Sequence, residues 1–292
     1  MQNSFVLAIG EALIDAVSTE FVDNLSYARQ LEIKPGGSPA NFCRFLHQLG
    51  TPAQLVAAIG EDGFSKIIMD DMQAKGIDTK YIQVMKEHAT TLIVVGKSKG
   101  TPDFSAYRDA DMQIAEVDDQ LINDCSIIHS TAFAMSKLPA RETILTAMHK
   151  AKGLGKKISI DWNYAENIWG KPNNADIVFR QITELLPLLK FSLDDASRFT
   201  GRDLDAKAAI EWLSQFNTDV TCLTCGADGV WFRMQNMNWD HVPAPPVEVR
   251  DSTGAGDSFW AGFIHAYLKN ASINECINNA ISTASKRLQG QL

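Results

Sequence analysis

Basic charge and long apolar runs are both scarce in this chain. Its 27 lysines and arginines face 35 acidic residues, which gives a net charge of -8, whereas a nucleic acid or an anionic membrane needs a basic face. No apolar run approaches the roughly 18 residues of a membrane-spanning helix. The N-terminus also lacks the basic start and long apolar stretch of a secretory signal. We therefore expect a cytoplasmic protein that binds neither nucleic acid nor membrane.

Cysteine is too scarce for a disulfide framework. Five cysteines in 292 residues, an odd number, fit a reducing compartment. Cys222 and Cys225 have C-x-x-C spacing, but they belong to an apolar run typical of a buried strand, where residues three apart point to opposite faces. No second such pair completes a zinc site. We expect neither a redox nor a metal role for them.

The signatures of several common enzyme classes are missing as well. The sequence contains no G-x-x-x-x-G-K-[ST] loop, and no G-x-G-x-x-G follows its first apolar run. It also lacks an H-E-x-x-H zinc motif and a complete G-x-S-x-G nucleophile elbow. These absences argue against a Walker-type NTPase, a dinucleotide-binding enzyme, a zinc protease and a serine hydrolase.

Short apolar runs alternate with helix-length segments along most of the chain. The runs predicted as buried strands are 5–9, 55–59, 126–129, 158–161 and 220–224, and the clearest predicted helices are 62–75, 141–152, 176–189 and 206–215. This alternation predicts one α/β domain over 1–292 with a doubly wound, mostly parallel sheet. Ligands of such sheets bind at the carboxyl ends of the strands.

Two stretches, about 12–36 and 88–110, interrupt the alternation. Both are too long for simple crossovers and contain β-rich runs such as 91–96. We interpret them as excursions that pair into a small β-sheet lid over the cleft.

The most informative motif spans 251–259 and reads Asp-Ser-Thr-Gly-Ala-Gly-Asp-Ser-Phe. Gly254, Ala255 and Gly256 have almost no side chain, so their N–H groups can approach an anion at the start of a helix. Asp257 lies beside them, where a carboxylate can take a proton from an attacking hydroxyl. The motif predicts a site that moves a phosphoryl group onto a hydroxyl. The alternative is a glycine-rich turn that only starts a helix.

A second motif spans 34–41 and precedes a predicted helix that ends near Leu49. Ser38 is a favourable N-cap and Pro39 suits the first helical position. Gly36 and Gly37 allow a ligand to approach the backbone, and Asn41 offers both donors and an acceptor to a polyhydroxylated ligand. The alternative is an ordinary tight turn before a capped helix.

Together these motifs resemble the pfkB-type, or ribokinase-like, carbohydrate kinases. Residues 36–41, with Gly50 and Gly60, are similar to the N-terminal signature of that family, apart from Cys43, where the family usually has Ala, Ser or Thr. Residues 251–264 are similar to the C-terminal signature at every constrained position. The resemblance covers essentially the whole chain and implies an ATP-dependent sugar kinase that uses Mg²⁺.

The resemblance also implies roles for individual residues. Asp257 corresponds to the catalytic base and the Gly254 to Gly256 backbone to the anion hole. The implied sugar-binding residues are Asp15, Gly36, Gly37, Asn41, Tyr107, Arg108 and Asn163. The implied nucleotide-binding residues are Lys190, Thr224, Gly226, Gly229 and Asn279, with Asn278 as the alternative to Asn279. Asp195 corresponds to a residue that acts on Mg²⁺ indirectly.

Several segments are similar to those of fructokinases within the family, including 10–15, 107–111 and 161–169. Ala165 stands where those enzymes have Arg, and Ser192 and Asp195 alter an Asn-x-x-Glu motif. The similarity of these three segments to fructokinases makes fructose the expected acceptor. Ribose, 2-keto-3-deoxygluconate or a nucleoside are the alternatives, as is a catalytically silent sugar-binding protein. A monovalent cation such as K⁺ and a homodimer formed through the lid are further possibilities that the resemblance raises.

Overall fold

The computed structural model describes residues 5–98, 103–170, 174–235 and 237–292. Within them the chain forms thirteen strands and ten α-helices. The strands are β1 (Val6–Ile9), β2 (Leu13–Phe21), β3 (Leu31–Gly36), β4 (Ala53–Gly60), β5 (Ile82–Met85), β6 (Leu92–Lys97), β7 (Phe104–Tyr107), β8 (Ile127–Thr131), β9 (Lys157–Asp161), β10 (Leu188–Ser192), β11 (Val220–Thr224), β12 (Val230–Met234) and β13 (Asp240–Val242). The helices are α1 (Ser38–Gln48), α2 (Gly63–Ala74), α3 (Asp119–Asp124), α4 (Ala140–Gly153), α5 (Glu166–Trp169), α6 (Ala175–Glu184), α7 (Leu193–Thr200), α8 (Ala206–Leu213), α9 (Ala255–Leu268) and α10 (Ile273–Leu288). None of the described helices combines the length and apolarity that crossing a bilayer requires.

Nine strands form the large sheet, in the order β13-β12-β11-β10-β9-β8-β1-β4-β5. All neighbours from β5 to β11 pair in parallel, and only β12 and β13 pair antiparallel at one edge. The chain leaves β1 toward β4 on one side and later returns to β8 on the other. This reversal opens a crevice at the carboxyl end of β1, where ligands bind in such sheets. The predicted α/β class is confirmed.

Apolar side chains cover both faces of the large sheet. In β1, Leu7 and Ile9 pack into one hydrophobic core and Val6 and Ala8 into the other. Alternate residues of a strand point to opposite faces, so a strand buried on both faces must be apolar throughout. This explains why the central strands read as uninterrupted apolar runs.

A separate sheet of four strands has the order β3-β2-β6-β7. It takes β2 and β3 from the first excursion and β6 and β7 from the second. Asp15 pairs with Ile93 across β2 and β6, while Ile14 pairs with Leu92. Paired residues share a face and successive residues alternate. Asp15 and Ile14 therefore lie on opposite faces of this small sheet.

The structure corrects two predictions of local structure. The predicted helix over 176–189 ends at Glu184, because Leu186 adopts a left-handed φ of 53° and Pro187 follows, and β10 begins at Leu188. The predicted N-cap, Ser38, is instead the first residue of α1. Gly37 is the N-cap, with φ 96°, so the Ser38 hydroxyl is available for other bonds.

Candidate active site

The first turns of α1 and α9 meet at one carboxylate. Asp257, in the first turn of α9, accepts a hydrogen bond from Ser38 Oγ at 2.6 Å and another from Asn41 Nδ2 at 2.9 Å. Burial raises the pKa of Asp257, and these two bonds and the nearby cations Lys190 and Arg44 lower it by less. A carboxylate with a raised pKa and two polar partners is suited to exchange a proton with a hydroxyl.

The first turn of α9 leaves two N–H groups available beside that carboxylate. The N–H groups of Ala255 and Ser258 have backbone acceptors, whereas those of Gly256 and Asp257 have none within the described part of the chain. The N-cap of α9, Gly254, has a φ of 72° and makes no side-chain cap. Unpaired N–H groups at a helix N-terminus attract anions.

A buried ammonium group lies directly beside these amides. A Cβ added at Gly256 would lie 3.1 Å from Lys190 Nζ. Lys190 Nζ donates to both carboxylate oxygens of Asp161 at 2.8 Å, and both side chains are 4% exposed. Burial alone would lower the pKa of Lys190, but the charges of Asp161, Asp195 and Asp257 raise it, so the lysine stays cationic.

Asp195 is held by its own helix. It forms a reciprocal capping box with Ser192 at the start of α7 and accepts from Arg198 at 2.7 Å. No group of three or more metal-ligating side chains occurs among the described residues. The charges of Asp161, Asp195 and Asp257 nevertheless all act on Lys190, so these are the carboxylates that could face a cation held mainly by another ligand.

Of the residues predicted to bind sugar, Asp15, Gly36 and Gly37 lie together in the structure, and the Asp257 charge acts on Asp15. A Cβ at Gly37 would overlap the Glu11 carbonyl, and its φ is 96°, so this position requires glycine, whereas a Cβ at Gly36 would displace the Asp15 carboxylate. Burial and the nearby Asp257 charge raise the pKa of Asp15 to about 6. Two like charges therefore face this part of the cleft.

Glu11 is a site residue to which the sequence analysis gave no role. It lies two residues after the end of β1, is 2% exposed, and accepts hydrogen bonds from the Ser38 N–H at 3.1 Å and from Thr131 Oγ1 at 3.2 Å. Burial raises the pKa of Glu11 to about 8, so its carboxyl group is protonated at neutral pH. The only sequence signal was a polar residue at the end of a buried strand.

Arg108 and Asn163, which were also predicted to bind sugar, form hydrogen bonds with other groups of the protein. The Arg108 guanidinium bonds Asp111 and Ser136 Oγ and lies 4.1 Å from the Phe133 ring. Asn163 accepts from the Phe133 N–H at 3.1 Å, which ties together the loops after β8 and β9.

Tyr107 lies on the face of the small sheet opposite Asp15. It pairs with Leu92, the partner of Ile14, and it is 65% exposed. There it lines a cavity of about 740 Å³ with Phe64 of α2 and Arg108. In this structure the small sheet therefore stands between Tyr107 and the carboxylates of the cleft.

The predicted nucleotide residues lie after β11 and on α10. Thr224 ends β11, and Gly226 and Gly229 have φ values of 56° and 92° in the tight turn that follows. A Cβ at Gly229 would overlap the Val242 carbonyl. Asn279 donates to the Gly262 carbonyl at 2.6 Å, so its amide joins α9 to α10.

Known proteins resemble this chain along nearly its whole length. Residues 3–291 match the family described as pfkB family carbohydrate kinase. An ATP-dependent 6-phosphofructokinase of Thermoanaerobacterium thermosaccharolyticum is 28% identical, over 97% of this chain and 88% of its own. The structure of Halothermothrix orenii fructokinase aligns with a TM-score of 0.86 and 31% identity, over 96% and 98% of the two chains. A fructokinase from Xylella fastidiosa with bound ATP aligns with a TM-score of 0.83 and 25% identity, over 99% and 92%. With its ribokinase-like fold and a family match along nearly its whole length, the chain belongs to the pfkB family of carbohydrate kinases.

Proposed function

We propose that this protein transfers the γ-phosphoryl group of MgATP to a hydroxyl of a small sugar, with fructose as the first candidate. The observation that carries the proposal is the position of Asp257 beside the unpaired N–H groups of α9. The relatives named fructokinase support the choice of sugar. The bound ATP of the Xylella fastidiosa protein supports the choice of donor.

Asp257 acts as the general base in this proposal. Its carboxylate accepts the proton of the attacking hydroxyl as the oxygen bonds to phosphorus, and Ser38 and Asn41 hold the carboxylate in place until then. A positioned base contributes about 10²- to 10⁴-fold to such a reaction. Asp15 and Asn41 bind the remaining sugar hydroxyls and orient the reactive one.

The anion hole and Lys190 neutralise the transferring phosphate. The N–H groups of Gly256 and Asp257 donate to its oxygens, and the ammonium of Lys190 lies within reach of the same place. One such donor contributes about 10²- to 10³-fold. Mg²⁺ would supply further neutralisation of the phosphate charge when bound. Asp195 and Asp161 are the carboxylates that would face it, directly or through water.

The nucleotide occupies the side of the cleft formed by β10, β11 and α9. Thr224 and the glycine turn at Gly226 and Gly229 provide backbone without obstructing side chains for the ATP phosphates and ribose. Asn279 supports this side by fixing α10 against α9, and the exposed Asn278 beside it is free to reach the base.

The test is a coupled assay of ADP release with MgATP and a panel of acceptors. The panel contains fructose, ribose, 2-keto-3-deoxygluconate and a nucleoside. We expect release that depends on the sugar and is fastest with fructose. Sugar-dependent thermal stabilisation without ADP release from any acceptor would favour the silent sugar-binding alternative and contradict the proposal.

A phosphorylated sugar is the second candidate acceptor, and a cluster of cations favours it. Arg108 and Arg141 both donate to Ser136, and Lys137 follows it in the chain. Lys137 Nζ bonds only the Trp169 carbonyl, at 2.9 Å, within the described residues. Burial and the charges of the two arginines lower the pKa of Lys137, which marks a site short of negative charge.

Fructose 6-phosphate added to the acceptor panel separates the two candidates. If the phosphate binds this cluster, Lys137→Ala should raise KM for fructose 6-phosphate at least about tenfold and leave KM for fructose within about twofold. Lys150→Ala, on the exposed face of α4, is the matched control. Equal effects of Lys137→Ala on both sugars would contradict a phosphate subsite.

A further inference from the structure

Arg44 is a buried cation on α1, one turn after Asn41. The residue is 5% exposed, and its guanidinium group forms two hydrogen bonds with side chains. Nε donates to Asp71 Oδ2 of α2 at 2.6 Å, and Nη1 donates to Asn41 Oδ1 at 2.6 Å. Nη2 is buried and has no partner among the described residues. An arginine in the core of a domain is costly unless its charge is used.

The first consequence concerns the amide of Asn41. An amide has one end that accepts and one that donates. Because Arg44 is a donor, it fixes the carbonyl oxygen toward itself, and the NH₂ group then faces Asp257 Oδ2 at 2.9 Å. A rotated amide would point NH₂ at the guanidinium and oxygen at the carboxylate, and both contacts are repulsive. Arg44 thus sets which end of Asn41 meets Asp257.

The second consequence concerns charge. Asp257 and Asp15 are close enough to repel each other, and Asp161 on β9 adds a third carboxylate. Lys190 is already bonded to Asp161 through both oxygens. Arg287 of α10 approaches Gly254 but is bonded to Asp251. Arg44 is the remaining cation described here whose charge acts on both Asp15 and Asp257.

We propose that Arg44 is a positioning residue that holds the Asn41 amide toward Asp257 and supplies the positive charge that lets Asp257 and Asp15 ionise together. The proposal rests on the proposed function of Asp257 as the base. Asp71 and Lys75 anchor the other end of this arrangement, since Lys75 Nζ bonds Asp71 Oδ1 at 2.5 Å on the outer side of α2.

The kinetic test separates the charge of Arg44 from its hydrogen bonds. Arg44→Met removes both, so the acidic limb of kcat/KM should move up by about one pH unit. Activity at pH 6 should therefore fall about tenfold more than activity at pH 8.5. Arg44→Lys keeps the charge but loses the rigid fork, so its limb should stay near the wild-type position while kcat falls about threefold or more. Lys66→Ala, at an exposed lysine of α2 that pairs with Asp70 and not with Asp71, is the control and should leave the profile unchanged.

A second measurement makes the test independent of turnover. The titration of the Asp257 carboxyl carbon can be followed by NMR, with Asp257→Asn used to assign its signal. We expect its midpoint to rise in Arg44→Met and to stay near wild type in Lys66→Ala. An enzyme that phosphorylates no sugar would refute the proposed function, and this titration would still decide the role of Arg44.

Arg44→Met leaves Asp71 with one hydrogen-bond partner fewer and can lower the stability of the fold for that reason. The double variant Arg44→Met with Asp71→Asn removes both charges of this pair and should fold with a cooperative thermal transition. Unshifted pH profiles and Asp257 titrations in folded variants would overturn the proposal and reduce Arg44 to a link between α1 and α2.

Discussion

The N-termini of α1 and α9 are built alike and used differently. Each begins after a glycine N-cap with a positive φ, Gly37 at 96° and Gly254 at 72°, and neither cap bonds through a side chain. At α1 the first N–H is bonded by a carboxyl group of the protein itself, that of Glu11. At α9 the N–H groups of Gly256 and Asp257 remain without an acceptor in the described residues.

The difference shows how one local geometry serves two purposes. The unpaired N–H groups at the start of a helix need an acceptor, and either the protein or a ligand can supply it. Where the chain fills the position, as Glu11 does, the helix is fixed and its side chains are oriented toward the cleft. Where the chain leaves the N–H groups without an acceptor in the described residues, as at Gly256 and Asp257, we propose that the helix binds phosphate.

Loss of the carboxylate at α9 should have the largest effect. Asp257→Asn keeps the size of the side chain but cannot accept the proton, so kcat should fall by about 10²-fold or more while KM for sugar stays within about threefold. Steady-state ADP release measures both constants. Near-normal turnover in a folded variant would refute the base assignment.

A methyl group at the N-terminus of α9 should lower kcat somewhat less. Gly256→Ala places a methyl group 3.1 Å from Lys190 Nζ, in the space expected for phosphate, and should lower kcat by about 10- to 100-fold. Gly153→Ala, at a glycine with open space around its Cβ position, is the matched control. If both substitutions lower kcat equally, the α9 N-terminus is not the phosphate site.

Asp15 should affect sugar binding and stability in opposite directions. Asp15→Asn loses a charged hydrogen-bond acceptor, so KM for sugar should rise about tenfold or more. The raised pKa means that wild-type stability falls as pH rises from about 4 to about 6. The variant should therefore be about 1–2 kcal/mol more stable at pH 7, allowing for partial exposure, and the gain should shrink at pH 4. A stability difference that does not change with pH would contradict this assignment.

Replacing the Glu11 carboxyl group beside α1 with an amide should have the smallest effect on kcat. Because the raised pKa keeps Glu11 protonated at pH 7, Glu11→Gln changes no charge there, and kcat should stay within about threefold of wild type. Glu11→Ala removes the acceptor of the Ser38 N–H and should lower thermal stability by several degrees. A large kinetic loss in Glu11→Gln would mean that the carboxyl group acts as an anion.

Sequence patterns predict the strands and helices of this protein better than its buried polar contacts. The central strands are predictable because burial on both faces demands apolar runs. The helix that starts within 251–259 is predictable because its glycines leave the backbone N–H groups uncovered. The start of β10 was missed although Pro187 marks the break. The partners of Arg44 and Glu11 could not be predicted, since Asp71 and Ser38 lie 27 residues away along the chain in each case. The face occupied by Tyr107 depends on the register of β6 and β7, which only the folded sheet defines.

The most direct test of the central claim is the pH dependence of kcat in wild-type protein and in Asp257→Asn, with MgATP and sugar saturating. Because burial raises the pKa of Asp257 above its usual range, wild-type kcat should rise with pH along an acidic limb and then level off. The variant should retain a low residual rate without that limb. The same limb in both proteins would contradict the claim that Asp257 is the base.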